Sequence, residues 1–233
     1  MTRKVNIPPD AYVAYSEFMN DSEWIIHLDP GHGGLINGKY QTKGKMYKHP
    51  TFTFYEGKFN RQMALRVSEG LMGHGISHIF STDSNIDTSL PIRCTRVNNF
   101  VRKFPNRKHL FISLHGNAAG VQSARGMELF TSPGKTLSDE YATAIYNRLK
   151  EMNWRMRHDF SDGDPDKEAR FYVLLHTACP AVLIEYGFYS NLVDAKLMST
   201  VKVQKELSRL TVEGIMDVVR GKVSDKIDHT EIY

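Results

Sequence analysis

The chain has 233 residues, of which 41% are hydrophobic and 24% are charged, a size and balance typical of a globular protein with a sizeable core. Its formal net charge of +4 comes from 30 Lys and Arg against 26 Asp and Glu, and the basic residues are scattered instead of forming a tract. This mild, scattered charge favours an anionic partner surface but does not indicate a nucleic acid. No apolar run is long enough for a membrane span.

The first third of the chain contains a lead-in and one strongly apolar run. Residues 1 to about 22 are polar and proline-containing, and we expect them to pack on the domain surface without a function of their own. They lack the apolar core of a signal peptide, so we expect synthesis in a cytoplasm. Residues 24 to 29 predict a buried strand that ends in a glycine-rich turn. The turn places His32 at the rim of a sheet, where the neighbouring glycines permit close approach.

A long stretch without periodicity precedes the first predicted helix. Residues 35 to 55 are rich in Gly, Lys and aromatic residues, and a stretch of this length predicts a functional loop, such as a substrate lip or a lid. From Glu56 onward, apolar residues recur four apart until glycines interrupt the pattern near residues 73 to 75. The spacing predicts an amphipathic helix that begins at Glu56.

Strands and helices alternate through the rest of the chain. Strands are predicted at residues 76 to 82, 110 to 114, 126 to 130 and 181 to 184, and helices at residues 90 to 101, 137 to 149, 192 to 198 and 203 to 219. The polar stretch from 153 to 170 contains four aspartates but lacks the ligand order of a calcium loop, so we expect a solvated connection. The alternation predicts a single three-layer α/β domain over residues 23 to 221, with a mostly parallel or mixed sheet flanked by helices and a polar tail over 222 to 233.

Three of the predicted strands lead to a residue that can bind a metal or move a proton. These residues are His32, His115 and Glu185, and Glu56 begins the first helix. Ligands gather outside the carboxyl ends of strands in α/β sheets, so the four side chains can converge. Two imidazoles and one carboxylate leave a zinc ion with an open position for water, and a second carboxylate can act as general base. Residue chemistry alone leaves open which glutamate has which role.

Structural roles are the alternative for each of these residues. A histidine at a strand end is more often a structural group than a ligand, and an acid at a helix start is favoured by the helix dipole. His27 is expected to point into the sheet packing, and His49 lies in the long loop. Cys94 and Cys179 occur in no metal or nucleophile motif, so we expect two reduced, partly buried thiols.

Four motifs occur in a fixed order. They are Leu28-Asp-Pro-Gly-His-Gly-Gly34, Tyr55-Glu-Gly-Lys-Phe-Asn60, Phe111-Ile-Ser-Leu-His-Gly-Asn117 and Pro180-Ala-Val-Leu-Ile-Glu-Tyr-Gly-Phe-Tyr-Ser-Asn191. Together they resemble the zinc-dependent N-acetylmuramoyl-L-alanine amidases of the amidase-3 family, over about residues 23 to 221. The resemblance implies that zinc is bound by His32, Glu56 and His115. It also implies that Glu185 is the general base, with supporting roles for Asn60 and Asn117.

The resemblance also implies a substrate, peptidoglycan, and a reaction, hydrolysis of the amide between N-acetylmuramic acid and L-alanine of the stem peptide. A catalytic domain without signal peptide, wall-binding repeats or lipid motif is similar to a phage endolysin, made in the host cytoplasm and acting on the cell wall after release. We expect a monomer. The alternatives are a non-catalytic peptidoglycan-binding or phage structural protein of the same fold, a zinc endopeptidase acting on stem peptides, or a bacterial enzyme whose export signal was removed.

The sequence departs from the family pattern in small ways. Gly116 stands where many relatives carry Ala, and Ser81-Thr-Asp83 is a variant of the usual Thr-Arg element. No helical insertion of the kind that blocks the zinc in some cell-division amidases is recognisable in the sequence. Regulation by such a plug is therefore not expected.

Overall fold

The computed structural model describes residues 18 to 222, so most of the predicted lead-in and tail lies outside the described residues. Within this range the strands are Trp24–Pro30 (β1), Leu35–Ile36 (β2), Lys39–Tyr40 (β3), Met46–Lys48 (β4), Thr53–Tyr55 (β5), Ser77–Phe80 (β6), Lys108–Asn117 (β7), Glu128–Thr131 (β8), Lys167–Glu168 (β9) and Ala181–Phe188 (β10). The helices are Glu56–Gly73 (α1), Leu90–Lys103 (α2), Leu137–Lys150 (α3), Tyr172–His176 (α4), Leu192–Ser199 (α5) and Val201–Val219 (α6). None of these helices has both the length and the apolar character needed to cross a membrane.

Across residues 18 to 222, six strands form a central sheet in the order β6-β1-β7-β10-β8-β9. The first four run parallel, β8 pairs antiparallel with β10, and β9 runs parallel to β8. Helices cover both faces of the sheet. This arrangement confirms the predicted α/β domain with a mostly parallel sheet flanked by helices.

Alternating side chains along β7 divide the core into two layers. Leu110, Ile112 and Leu114 are fully buried and belong to the larger layer, which includes α1, α3 and α6. Phe111 belongs to the smaller layer, with residues of α2 and α4. Each such buried side chain contributes about 1.5–3 kcal/mol through removal from water. His115 has the same parity as Phe111, so β7 directs it toward the α2 layer.

The strand register aligns the candidate residues at one edge of the sheet. Glu185 on β10 pairs with His115 on β7 and with Glu128 on β8, so these three side chains point to the same face. At the end of β1, the amide of Gly31 donates to the carbonyl of Leu114 over 3.1 Å. The turn after β1 therefore lies beside His115, which is the convergence expected at the carboxyl ends of parallel strands.

The stretch from 35 to 55 is more regular than predicted. It contains two antiparallel pairs, β2 with β3 and β4 with β5, and the second pair leads directly into α1. The amide of Glu56 donates to the carbonyl of Lys45 over 3.1 Å, and the hydroxyl of Tyr40 accepts from the amide of Gly57 over 2.8 Å. These bonds satisfy helix-start amides that have no partner within the helix. The prediction that α1 begins at Glu56 is confirmed.

Two predictions for structural side chains are also confirmed. His27 is fully buried in the sheet, and its Nε2 lies 2.9 Å from Nδ1 of His109. Burial, together with the charge of His109, lowers the pKa of His27 to about 3, so it is neutral at physiological pH. Cys94 is buried, Cys179 is partly buried, and both are free thiols.

The prediction of a solvated connection between 153 and 170 is wrong for Asp166. Its side chain is only 2% exposed, because the following residues, Lys167–Glu168, add β9 to the edge of the sheet. The hydroxyl of Thr131 donates to one carboxylate oxygen of Asp166 over 2.6 Å. Burial, a side-chain hydrogen bond with Asp164 and the charges of Asp164 and Asp139 raise the pKa of Asp166 to about 8.

We expect Asp166→Asn to remove a pH-dependent loss of stability. The unfolded carboxyl has a pKa near 3.9, so between about pH 4 and 8 the native state binds the proton more tightly. The wild-type free energy of unfolding then falls as pH rises through this window and levels off above pH 8. The variant has no proton to lose, and its advantage should reach about 1–3 kcal/mol at the alkaline end. Urea unfolding at several pH values measures this advantage. Asp162→Asn, an exposed neighbour, is the matched control, and equal pH slopes for Asp166→Asn and wild type would contradict the prediction.

Candidate metal centre and active site

Three of the predicted site residues converge in the structure. One ligand atom from each of His32, Glu56 and His115 lies within 4.8 Å of the others, and over residues 18 to 222 no other group of three or more His, Cys, Asp or Glu side chains does so. Oε1 of Glu56 is 3.1 Å from Nε2 of His32 and 3.0 Å from Nδ1 of His115. Glu56 is 2% exposed, whereas the histidines are 20% and 15% exposed. The carboxylate is thus enclosed and the imidazoles reach the cavity.

The donor set fits a divalent cation. Burial alone would raise the pKa of Glu56, but hydrogen bonds and charges from His115 and His32 hold it at about 2. The carboxylate is therefore ionised at any physiological pH. Two imidazole nitrogens and one anionic oxygen are the ligand chemistry of catalytic zinc sites that keep one position open.

Glycines allow the ligand-bearing segments to approach each other. A Cβ atom on Gly31 would lie 2.1 to 2.6 Å from three atoms of the His115 imidazole, and a Cβ atom on Gly57 would lie 1.9 Å from the carbonyl oxygen of Gly33. Neither position can accept a side chain. His32 itself has a φ of 62°, a left-handed conformation that costs a residue with a Cβ about 1–2 kcal/mol. The surrounding contacts must offset that strain.

Glu185 lies in the same cavity as the three candidate ligands. The cavity has a volume of about 620 Å³ and is lined by His32, Glu56, His115 and Glu185 among others. Glu185 as a whole is partly exposed, but its Oε2 is buried and has no hydrogen-bond partner within the described part of the chain. Burial and then the charges of Glu56 and Glu128 raise its pKa well above the ordinary range, although Lys45 acts in the opposite direction. A carboxylate in this environment has a high affinity for a proton.

Glu128, the neighbour of Glu185 in the sheet, is an instructive contrast that sequence analysis missed. Its oxygens accept hydrogen bonds from Asn117 over 2.6 Å, from Arg157 over 2.7 Å and from Lys167 over 2.6 Å. Two cations neutralise this carboxylate and occupy its lone pairs. Of these two adjacent acids, Glu185 is the one with an oxygen that has no hydrogen-bond partner among the described residues.

The two asparagines with predicted supporting roles hold backbone and side chains near the ligands. Nδ2 of Asn60 donates to the carbonyl of Gly31 over 3.0 Å, so it acts on the turn that precedes His32. Asn117 lines the cavity and binds Glu128. A Cβ atom on Gly116 would lie 2.7 Å from Cε at the end of the Met198 side chain. A flexible methionine therefore fills the space that an alanine methyl group would take.

The cavity walls include side chains that the sequence did not single out. On one side, Tyr189 stacks on Phe54 with ring centroids 5.4 Å apart, and Lys45 projects from the 35 to 55 stretch. On the opposite side, the wall contains Ser89 and Tyr172. His49 is buried outside the cavity lining, where its Nε2 lies 2.9 Å from the carbonyl oxygen of Tyr189. This contact therefore holds the 35 to 55 stretch against the cavity wall at Tyr189.

Two buried arginines beneath the turn were also missed. Arg93 and Arg61 are 1% and 3% exposed, and Arg93 forms an ion pair with Asp29 over 2.7 Å. The available sequence signal was a basic residue on the apolar stripe of α2 together with an acid at the end of an apolar strand. A buried charge requires a partner, so the pairing of Arg93 with Asp29 could have been predicted from the sequence.

Comparison with known proteins identifies the family. A family model described as N-acetylmuramoyl-L-alanine amidase matches residues 26 to 217. The sporulation-specific N-acetylmuramoyl-L-alanine amidase of Bacillus subtilis is 29% identical over 193 residues, which cover 82% of this chain and 66% of that protein. The amidase CwlM of Bacillus licheniformis is 31% identical over 182 residues, which cover 77% of this chain and 62% of that protein. The chain thus spans slightly less than two thirds of these two relatives.

The solved structures agree on the fold. The N-acetylmuramoyl-L-alanine amidase from Clostridium difficile 630 aligns with a TM-score of 0.70 at 24% identity, over 87% of this chain and 100% of that one. The same arrangement of sheet and helices is therefore present in both. Because the family model covers well over half of the sequence and includes all four converging residues, this chain belongs to the N-acetylmuramoyl-L-alanine amidase family, amidase-3.

Proposed function

We propose that this protein is a zinc-dependent amidase that hydrolyses the bond between N-acetylmuramic acid and L-alanine of the peptidoglycan stem. The observation that carries the proposal is the meeting of His32, Glu56 and His115 within 4.8 Å, in a cavity that also contains Glu185. Family membership supports the choice of bond. The donor set and the free carboxylate support hydrolysis by activated water.

In this proposal, His32, Glu56 and His115 hold the zinc and Glu185 moves the proton. A bound zinc ion supplies Lewis-acid polarisation of the amide carbonyl and makes water more acidic. Glu185 accepts a proton from the attacking water as the new C–O bond forms. When the C–N bond breaks, the same carboxyl returns the proton to the departing amine of L-alanine. Water is the only co-reactant, and Glu185 ends in its starting state.

We also propose that the activity is lytic, as in a phage endolysin. The support is the mild positive charge of +4, which favours contact with an anionic cell wall. Purified protein added to a suspension of isolated walls should lower its turbidity. The phage origin stays a prediction from the sequence.

Digestion of purified peptidoglycan tests the proposed reaction. We expect free amino groups on L-alanine and intact glycan strands, with activity lost in a chelator and restored by zinc. New amino groups on residues deeper in the stem would instead indicate an endopeptidase. Binding to peptidoglycan without any new end would indicate a non-catalytic binding protein. Either of these two results would overturn the proposal.

A further inference from the structure

The turn that carries His32 is held by buried side chains on its backbone. Arg93 donates to the carbonyl of Pro30 over 2.7 Å and to that of His32 over 3.0 Å. The carbonyl of His32 also accepts from Arg61 over 2.7 Å. Together with the bond from Asn60 to the carbonyl of Gly31, these contacts satisfy every carbonyl from residue 30 to residue 32.

Each arginine is itself fixed by several other partners. Nη1 of Arg93 binds Oδ1 of Asp29 over 2.7 Å, and its Nε donates to the carbonyl of Thr88 over 2.8 Å. Arg61 donates to the carbonyls of Ser84 and Ile86 over 3.1 and 3.3 Å. A planar guanidinium with several simultaneous acceptors has little freedom to move. The two side chains therefore form a rigid support beneath the turn.

Asp29 completes this support from the strand side. It is 1% exposed, and its second oxygen accepts from the hydroxyl of Ser113 over 2.6 Å. The hydroxyl of Ser81 binds the oxygen that Arg93 also contacts. The network thus joins three neighbouring strands, β1, β6 through the residue that follows it, and β7. The position of His32 is coupled in this way to the strand that bears His115.

We propose that Arg93 and Arg61 are positioning residues of the metal centre, which clamp the His32 backbone in its left-handed conformation so that its imidazole meets Glu56 and His115. Both guanidinium groups act through the carbonyl of His32, which accepts a hydrogen bond from each of them. The inference rests on the proposed function, because it takes the three residues to be zinc ligands. It adds that affinity for the metal depends on side chains outside the ligand set.

The test measures binding of Zn²⁺ alone, without peptidoglycan. Arg93→Lys keeps a positive charge beside Asp29 but lacks the fork that spans two carbonyls. Arg61→Met removes one donor to His32 and leaves the Asp29 pair intact. Arg96→Lys is the matched control, since Arg96 lies on the same helix and pairs with Asp83 at the surface. Zinc affinity is measured by competition with a chromogenic chelator, at a temperature where circular dichroism shows that the variant is folded.

We expect Arg93→Lys to weaken zinc affinity about 10–100-fold and Arg61→Met about 10-fold, the range seen for partners that orient a ligand. The visible absorption bands of the Co²⁺-loaded protein should shift in both variants and stay unchanged in Arg96→Lys. Lower melting temperatures with unchanged zinc affinity and cobalt spectrum would show a purely structural role and overturn the inference. In that case the proposed amidase still stands. A wild-type protein that binds no zinc would overturn both.

Discussion

Replacement of Glu185 with Gln is expected to lower the rate of amide hydrolysis about 10²–10⁴-fold, which is the usual contribution of a positioned acid–base group. The carboxamide preserves the shape of the side chain but cannot accept a proton from water. Glu185 is suited to this role because its Oε2 lacks a partner among the described residues and the side chain lines the cavity beside the candidate ligands. The rate is measured as L-alanine amino groups released from purified peptidoglycan.

The controls for this variant separate proton transfer from metal binding. Zinc content and zinc affinity should equal those of the wild type, since Glu185 is not in the group of three candidate ligands. Glu168→Gln, an exposed acid on β9 of the same sheet, should retain full activity. An unchanged rate in zinc-loaded Glu185→Gln would rule out Glu185 as the base.

Glu56→Gln is expected to weaken zinc binding strongly and, as a result, to lower the activity. The ionised carboxylate lies between the two imidazoles, with one oxygen 3.1 and 3.0 Å from their nitrogens. A neutral amide removes the negative charge from the donor set. Replacement of a residue that only orients a metal ligand lowers metal affinity about 10–100-fold. Loss of a ligand itself should lower zinc affinity by more than that. Isothermal titration calorimetry with Zn²⁺ measures the affinity, and peptidoglycan digestion measures the activity.

Glu69→Gln provides the comparison for this experiment, because Glu69 is an exposed acid on the same helix α1. It should bind zinc and cleave peptidoglycan as the wild type does. Metal binding at wild-type affinity in Glu56→Gln would contradict the assignment of Glu56 as a ligand. If Glu56→Gln kept the metal and Glu185→Gln lost it, Glu185 would be the ligand and Glu56 the general base.

Much of the fold was predictable because apolar periodicity records burial. The stripe of Phe59, Met63 and Val67 is fully or nearly fully buried, and α1 begins where the sequence places it. The short strands were not predictable, because the pairing of two- or three-residue segments such as Lys39–Tyr40 depends on a partner elsewhere in the chain. The burial of Asp166 was missed for the same reason, since β9 adds only two residues to the sheet.

The extent of the strands near the site also differs from expectation. The sequence pattern places His115 and Glu185 just after their strands, whereas β7 continues to Asn117 and β10 to Phe188. Apolar residues stop where a strand reaches the cavity, but backbone pairing continues beyond that point. Hydrophobic pattern therefore marks the end of the core and not the end of the strand.

The candidate site was predictable from residue type and motif order, whereas the bonds from its supporting arginines to the backbone were not. Strand ends and a helix start indicated His32, Glu56, His115 and Glu185, and the structure brings all four to one cavity. The contacts of Arg93 and Arg61 reach backbone carbonyls far away in the sequence. Any carbonyl can accept such a bond, so no residue pattern marks it.

The register of β7 limits where residues can be inserted or deleted in this domain. His115 faces Glu185 because it lies an even number of residues from Phe111, in a strand whose side chains alternate between two layers. Deletion of one residue between 108 and 114 would move the imidazole to the opposite face of the sheet, although every candidate ligand would still be encoded. A change of one residue within this strand would therefore displace the site even if every residue type were kept. Inheritance of the site therefore requires conservation of the residue count as well as of residue identity.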